Sequence, residues 1–206
     1  MLIRISTTQA VIPRTGEGIA FVHGEIQPKI SAMDGNRGFA MALDRSSGRY
    51  VGIAAWTDAQ ALKAGEDRAP GLIADVAERL DGSSPTVELF DLAVAHLVKP
   101  VRVGYWGRLV RAEVPVHDLD RFVRTFEETA LPLFERYEGL AAIVLFVDRG
   151  SGVTESAMWF ESVEVLRGSR DRARELGQLL VAEVPTLRIG EISELEVVIA
   201  EMGPLS

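Results

Sequence analysis

The sequence predicts an α+β protein built from one module used twice. Three observations carry that prediction: a polar turn motif that recurs, flanking strands and helices that recur in the same order, and a length of 206 residues that divides into two halves of small-domain size. The first copy of the motif is Asp44-Arg45-Ser46-Ser47-Gly48, followed by a strand ending on Trp56 and then Thr57-Asp58-Ala59. The second is Asp148-Arg149-Gly150-Ser151-Gly152, followed by a strand ending on Trp159 and then Phe160-Glu161-Ser162. A shift of 104 positions, the distance from Pro28 to Pro132, aligns residues 28–48 with 132–152 without a gap. Gly35/Gly139, Asp44/Asp148, Arg45/Arg149, Ser47/Ser151 and Gly48/Gly152 then coincide, several of them turn residues, which recur where backbone geometry recurs. The same shift pairs Arg4 with Arg108, whereas the tryptophans pair at 103, the distance from Trp56 to Trp159. The repeats are expected at 1–99 and 100–206, with the seam near Lys99-Pro100.

Residues 2–8 are a short β-branched run and form the first strand, with Arg4 breaking its apolar character. From about 15 to 33 the pattern is helical, but Gly16, Gly18, Gly24 and Pro28 weaken it, so an interrupted helix is expected. Gly35 to Gly38 turns the chain into a strand over 39–43, the Asp44-to-Gly48 loop closes a hairpin with Gly48 at positive φ, and 50–56 is the return strand. Thr57 with Gln60 makes a capping box for the next helix. After Pro70, an apolar stripe of Leu72, Ile73, Val76 and Leu80 marks a further helical piece, and 87–98 is the last strand of the half.

The second half opens with a strand over 107–114. Asp118 is placed to cap a helix in which Leu119, Phe122, Val123, Phe126, Ala130, Leu133 and Tyr137 recur at helical spacing. Residues 143–147 are continuously apolar, as in a strand buried on both faces, and 153–159 is its hairpin partner. A helix over 171–182 is expected to point Leu176, Leu179 and Leu180 inward, and 187–199 finishes the sheet. Each half is therefore β-α-β-β-α-β with a central hairpin, the ferredoxin-like arrangement. Helices on one face leave the other face of each sheet bare, so the halves are expected to pack sheet to sheet.

Composition narrows the function. At 47% hydrophobic residues the chain can bury a substantial core, and no apolar run is long enough to cross a bilayer. Without a secretory leader pattern, a cytoplasmic location is expected. The absence of cysteine excludes disulfides, thiol nucleophiles and thiolate metal sites. A net charge of −8 argues against nucleic acid and anionic membrane as partners. His23, His96 and His117 have no metal-ligand spacing, and phosphate-loop, nucleophile-elbow and zinc-protease signatures are absent.

The doubled unit, with Asp-x-x-x-Gly in its hairpin and a strand ending in Trp before a helix, resembles the antibiotic biosynthesis monooxygenase-like (ABM) domain of the dimeric α+β barrel superfamily. The resemblance implies an intramolecular version of a barrel that the family builds from two chains, and a small aromatic or hydrophobic ligand. It also implies an activity among cofactor-free quinone-forming monooxygenases, haem degraders, or members without a known reaction. Haem degraders of that family use a first-strand Asn, the Trp, and a His about ten residues beyond it. Here no Asn lies in 2–8 or 107–114, and Glu66 and Ser169 stand ten residues past Trp56 and Trp159, so no haem and no other cofactor is expected. The Tyr that quinone-forming members carry about six residues past the Trp is replaced by Leu62 and Val165.

Candidate site residues follow. Trp56 and Trp159 can stack on a flat ligand or simply pack the core. Arg4 and Arg108 can bind a carboxylate or phenolate through a guanidinium fork or pair with surface glutamates. Tyr105 and Trp106 lie just before Arg108, and His96 is a candidate base for a phenolic substrate. Divergence between the halves allows at most one retained site. Two readings stand: a monooxygenase-like small-ligand protein, and a non-catalytic interaction or stress-related module that keeps the barrel as scaffold. The pseudo-dimer satisfies the barrel within one chain, and an exposed edge strand would allow a homodimer.

Overall fold

The computed structural model describes residues 1–12, 15–68, 71–79 and 82–203, with the side chain of Ile73 excepted. Pro70, Leu80 and the Ile73 side chain, part of the stripe expected after the third helix, lie outside the described residues. The first half runs β1 (Leu2–Gln9), α1 (Thr15–Phe21), a π-helical turn (Val22–Ile26), α2 (Gln27–Ser31), β2 (Asn36–Asp44), β3 (Arg49–Trp56), α3 (Ala59–Arg68), α4 (Leu72–Arg79) and β4 (Thr86–Leu97). The second runs β5 (Trp106–Glu113), a 3₁₀ turn (Val116–Asp118), α5 (Leu119–Phe134), β6 (Leu140–Val147), β7 (Val153–Phe160), α6 (Val163–Gly168), α7 (Arg170–Glu183) and β8 (Arg188–Met202). The interrupted first helix is thus three segments, with Gly24 inside the π-turn and Pro28 in the first turn of α2, where its missing N–H costs nothing.

The chain divides into two compact units, Met1–Leu89 with Leu195–Ser206, and Phe90–Glu194. In the first unit β1 and β2 flank β3, and the far edge of β2 pairs with the end of β8, Gly38–Leu43 against Glu196–Met202. In the second unit β5 and β6 flank β7, and β6 pairs with the end of β4, Asp91–Leu97 against Ala142–Val147. Each unit therefore completes its sheet with the last strand of the other half of the sequence. All described pairings are antiparallel, and the hydrogen-bonded order β1-β3-β2-β8-β5-β7-β6-β4 closes as an eight-stranded α+β barrel.

Local chemistry explains the recurring turns. The Asp44 carboxylate accepts hydrogen bonds from the Ser46 N–H at 2.8 Å and the Ser47 hydroxyl at 2.7 Å, and Asp148 accepts from the Gly150 N–H at 2.8 Å and the Ser151 hydroxyl. Gly48 and Gly152 sit at φ of 77° and 80°, and a Cβ on either would collide with the carbonyl of Ala10 or Val114.

Four side chains behave differently from their sequence expectations. The α3 N-terminus is capped not by Thr57 but by Asp58, whose carboxylate accepts from the Ala61 N–H at 2.9 Å, because the helix begins one residue later. Asp118 makes no cap hydrogen bond; the preceding 3₁₀ turn gives it a helical backbone and its carboxylate accepts instead from the Thr186 hydroxyl at 2.7 Å. Leu176 and Leu180 are buried, whereas Leu179 is 42% exposed, since i+3 from Leu176 and i−1 from Leu180 falls off the narrow buried stripe. Tyr137 lies past the end of α5 and packs edge-on to Phe160, with ring centroids 5.9 Å apart.

Candidate functional site

In the first unit, strand periodicity puts Arg4, Ser6 and Thr8 of β1 on the same face as Tyr50, Gly52, Ala54 and Trp56 of β3. Val22, Ile26, Ile30 and Met33 cover this face from the interrupted helix, and Gly65, Glu66 and Leu72 close it from α3 and α4. Ser6, Gly52 and Ala54 are too small to meet that cover, which leaves a cavity of about 480 Å³. Its size and largely apolar wall suit a small molecule.

Trp56 is 3% exposed, and its ring lies so close under α3 that a Cβ on Gly65 would come within 2.7 Å of the indole Cη2. Its indole Nε1 is buried and has no hydrogen-bond partner among the described residues. Arg4 pairs through Nη1 with Glu66 Oε1 at 3.0 Å, but its Nε is also buried and unpartnered. Burial pulls the Arg4 pKa below its ordinary value and Glu66 pushes against that; the guanidinium stays charged. Tyr50, whose hydroxyl donates to the Thr15 carbonyl at 2.9 Å, is pushed up to about 12 by burial and contributes a neutral phenol to the wall. Arg4 and Trp56 both line the cavity, and each carries one buried N–H without a partner among the described residues.

The second unit uses the same scaffold with different chemistry. Arg108, Val110 and Ala112 of β5 and Thr154, Ser156 and Met158 of β7 line a cavity of about 820 Å³ covered by α5 and α7. Arg108 is 5% exposed, and its guanidinium donates to Ser169 Oγ at 2.9 Å, the Leu166 carbonyl at 3.0 Å and Glu194 Oε1 at 3.0 Å. Ser169 and Glu66, each ten residues past a tryptophan, thus meet the two arginines in the same way. Burial alone would raise the Glu194 pKa, but hydrogen bonds from Arg170 and Arg108 outweigh it and hold the carboxylate below its usual range.

Register corrects the pairing of the tryptophans. Leu2 stands opposite Trp56 and Trp106 opposite Phe160, so the counterpart of Trp56 is Phe160, which has no donor, and Trp159 is one residue out of phase. Trp159 points to the other face of its strand, opposite Gly107, where any Cβ would collide with its ring. Trp106 is half-buried against the core of the second unit; Tyr105 is half-buried in a turn, its N–H donating to the Arg102 carbonyl at 3.1 Å. His96 lies on β4 opposite Ile143, half-buried, with a buried Nε2 that has no partner among the described residues. Of the sequence candidates only Arg4 and Trp56 meet in one cavity. Tyr50 and Glu66 were missed as wall residues; the alternation of 50, 52, 54 and 56 along one strand was the signal for Tyr50.

No histidine lines the first cavity among the described residues, and Glu66, already paired with Arg4, stands where haem degraders of the resembling family place theirs. The residues present do not fit haem ligation. Among the described residues no group of three or more His, Asp or Glu side chains is placed to hold a metal ion, and no helix is long and apolar enough to cross a membrane.

Comparison with solved structures gives the class. A proposed monooxygenase from Fusobacterium nucleatum superposes over 99% of this chain and 95% of its own with a TM-score of 0.73 at 12% identity. An anthrone oxidase-like protein matches over 97% and 92% with a TM-score of 0.69 at 12% identity. An uncharacterized ferredoxin-fold protein from Listeria monocytogenes, related to antibiotic biosynthesis monooxygenases, matches over 98% and 95% with a TM-score of 0.53 at 9% identity. The fold is the monooxygenase-like ABM fold in tandem. No family model matches the sequence. In sequence the chain is 30% identical over 201 residues to the uncharacterized protein Rv2558 of Mycobacterium tuberculosis, covering 97% of this chain and 84% of that one. It is 29% identical over 199 residues to Rv2557 of the same organism, covering 97% and 88%. The chain belongs to the family of these mycobacterial proteins.

Proposed function

We propose that the protein is a monooxygenase-like small-molecule protein whose ligand, an aromatic molecule bearing an acidic oxygen, occupies the cavity of the first unit. The observation that carries this reading is that Trp56 and Arg4, two residues lining one largely apolar cavity, each hold a buried N–H without a partner among the described residues, which a small local shift would turn to a ligand. A phenolate or enolate oxygen accepting both N–H groups would remove two desolvated orphans, and the charge of Arg4 would favour the anion over the neutral phenol. Stabilising that anion is the step an oxygenation without cofactor requires, because the electron-rich substrate itself reduces oxygen. For an anthrone the balance is anthrone plus O₂ to anthraquinone plus water. Tyr50, held neutral with its hydroxyl donating to the Thr15 carbonyl, adds no competing anion to the wall.

The test is an oxygen electrode and a calorimeter used together on a panel of anthrones and hydroquinones. Saturable binding with oxygen uptake, both lost in Trp56→Phe and Arg4→Met, supports an oxygenase. A second reading is favoured by Glu66 and Leu62, which stand where the family's active-site residues would be. On that reading the cavity binds its ligand without turnover, in a non-catalytic module, and the panel gives binding heat without oxygen uptake.

A further inference from the structure

The cavity of the second unit differs from the first in volume and in chemistry, and we propose that it binds an aliphatic carboxylate, with the hydrocarbon chain inside and the anionic head at α7. Inside, the charged and most of the polar groups are already satisfied, the Ser156 hydroxyl on the floor being the exception. Arg108 spends its donors on Ser169, Leu166 and Glu194, Arg170 closes Glu194 from the other side at 2.8 Å, and the Thr154 hydroxyl donates to the Ala112 carbonyl at 3.3 Å. Among the described residues no buried side-chain polar atom lining this cavity lacks a partner, in contrast to the first cavity. An occupant finds one neutral hydroxyl, Ser156, on an otherwise satisfied or apolar wall, which favours a mainly hydrocarbon body over a ligand carrying many internal polar groups.

The rim asks for the other end of the molecule. Val181, Ile189 and Ile192 line the cavity yet remain 40%, 41% and 58% exposed, an apolar wall that an alkyl chain would remove from water. Arg170, Arg174 and Gln178 follow one another at one-turn spacing on α7 and all line the same opening. Arg174 is engaged by Asp171 at 2.9 Å, but both side chains are largely exposed, at 68% and 89%, so that pair is weak and a ligand carboxylate can replace it. Three guanidinium groups line the cavity against the single carboxylate of Glu194, which favours an anionic head over a cationic one.

The experiment is calorimetric titration of the full chain at pH 8 with dodecanoate, with dodecanol and dodecyltrimethylammonium as chain-matched controls, all below their aggregation thresholds. Expected is one saturable dodecanoate site, with the cation bound at least about tenfold more weakly. Val181→Glu, which puts a like charge in the mouth at an exposed position, should weaken dodecanoate at least about tenfold. Arg174→Glu should weaken it about fivefold while leaving dodecanol within about twofold. Trp56→Phe and Arg4→Met should leave dodecanoate unchanged, so the outcome is independent of the first cavity. Should Val181→Glu fail to fold, Ser156→Phe, which fills the floor, replaces it. The proposal is overturned by the absence of saturable dodecanoate binding, by equal affinity for the cation, by indifference to both cavity variants, or by loss of binding in Trp56→Phe.

Discussion

Arg4 and Arg108 occupy one position of the repeat and carry different burdens. Arg108 is buried and holds Ser169, the Leu166 carbonyl and Glu194 together, so Arg108→Met leaves several buried partners unmatched. It should lower the free energy of unfolding by about 2–4 kcal/mol. Arg4 has a half-exposed partner, Glu66, and Arg4→Met should cost under about 1 kcal/mol. Urea unfolding of the two variants distinguishes them, and equal costs would refute the division of labour. Tyr50 sets a pH dependence. Its folded pKa of about 12 lies above the ordinary 10.0, so the neutral phenol's contribution is complete below pH 10 and is lost as pH rises toward 12. The urea midpoint should fall across that interval in the native protein, and Tyr50→Phe should remove that part of the fall. At this scale the repeat made the arginine pair legible, because both sit in phase on opening strands. The tryptophans misled because residue identity is visible in a sequence and strand phase is not: Trp159 is displaced by one residue, and one residue is a change of face.

The hairpin turns are the elements most fully written in the chain. Their Asp, Ser and Gly are needed at fixed offsets by hydrogen bonds that run within five residues. Gly48→Ala and Gly152→Ala should each destabilise by about 1–3 kcal/mol, since positive φ and a carbonyl clash act together. Chemical denaturation gives the values, and a neutral result at either position would contradict the turn geometry. Helix ends were less legible, because a cap depends on where the helix starts to within one residue. Thr57 and Asp58 are both good caps, and the start of α3 decides for Asp58. Asp118 lost its cap role to a partner 68 positions away, Thr186, which no local pattern announces. The same limit hid the exposure of Leu179, which fits a helical spacing but not the width of the buried stripe.

For the whole molecule, the β-α-β-β-α-β order could be read from periodicity and breakers, but the sharing of the two final strands could not, since it joins β8 to β2 across more than 150 residues and β4 to a strand of the other half of the sequence, which no local pattern announces. In the first unit β8 supplies buried Leu195, Val197, Val198 and Ile199 and covers the edge of β2. Burial of those four side chains is worth on the order of 6–12 kcal/mol, comparable with the entire stability of an ordinary domain. A chain ended at Glu194 should therefore lose amide-exchange protection across β2 and β3, and retained protection there would show that the first unit does not depend on β8.

If an acidic oxygen binds at Trp56 and Arg4, as proposed, the Trp56 indole N–H reports it directly. The chain has three tryptophans, so nitrogen-15 NMR gives three indole N–H resonances, with Trp56 assigned by its disappearance in Trp56→Phe. Saturation with a hydroxyanthrone should move the Trp56 resonance downfield, as a new hydrogen bond requires, and leave Trp159 and Trp106 in place. An unmoved Trp56 signal at saturating ligand would contradict the account.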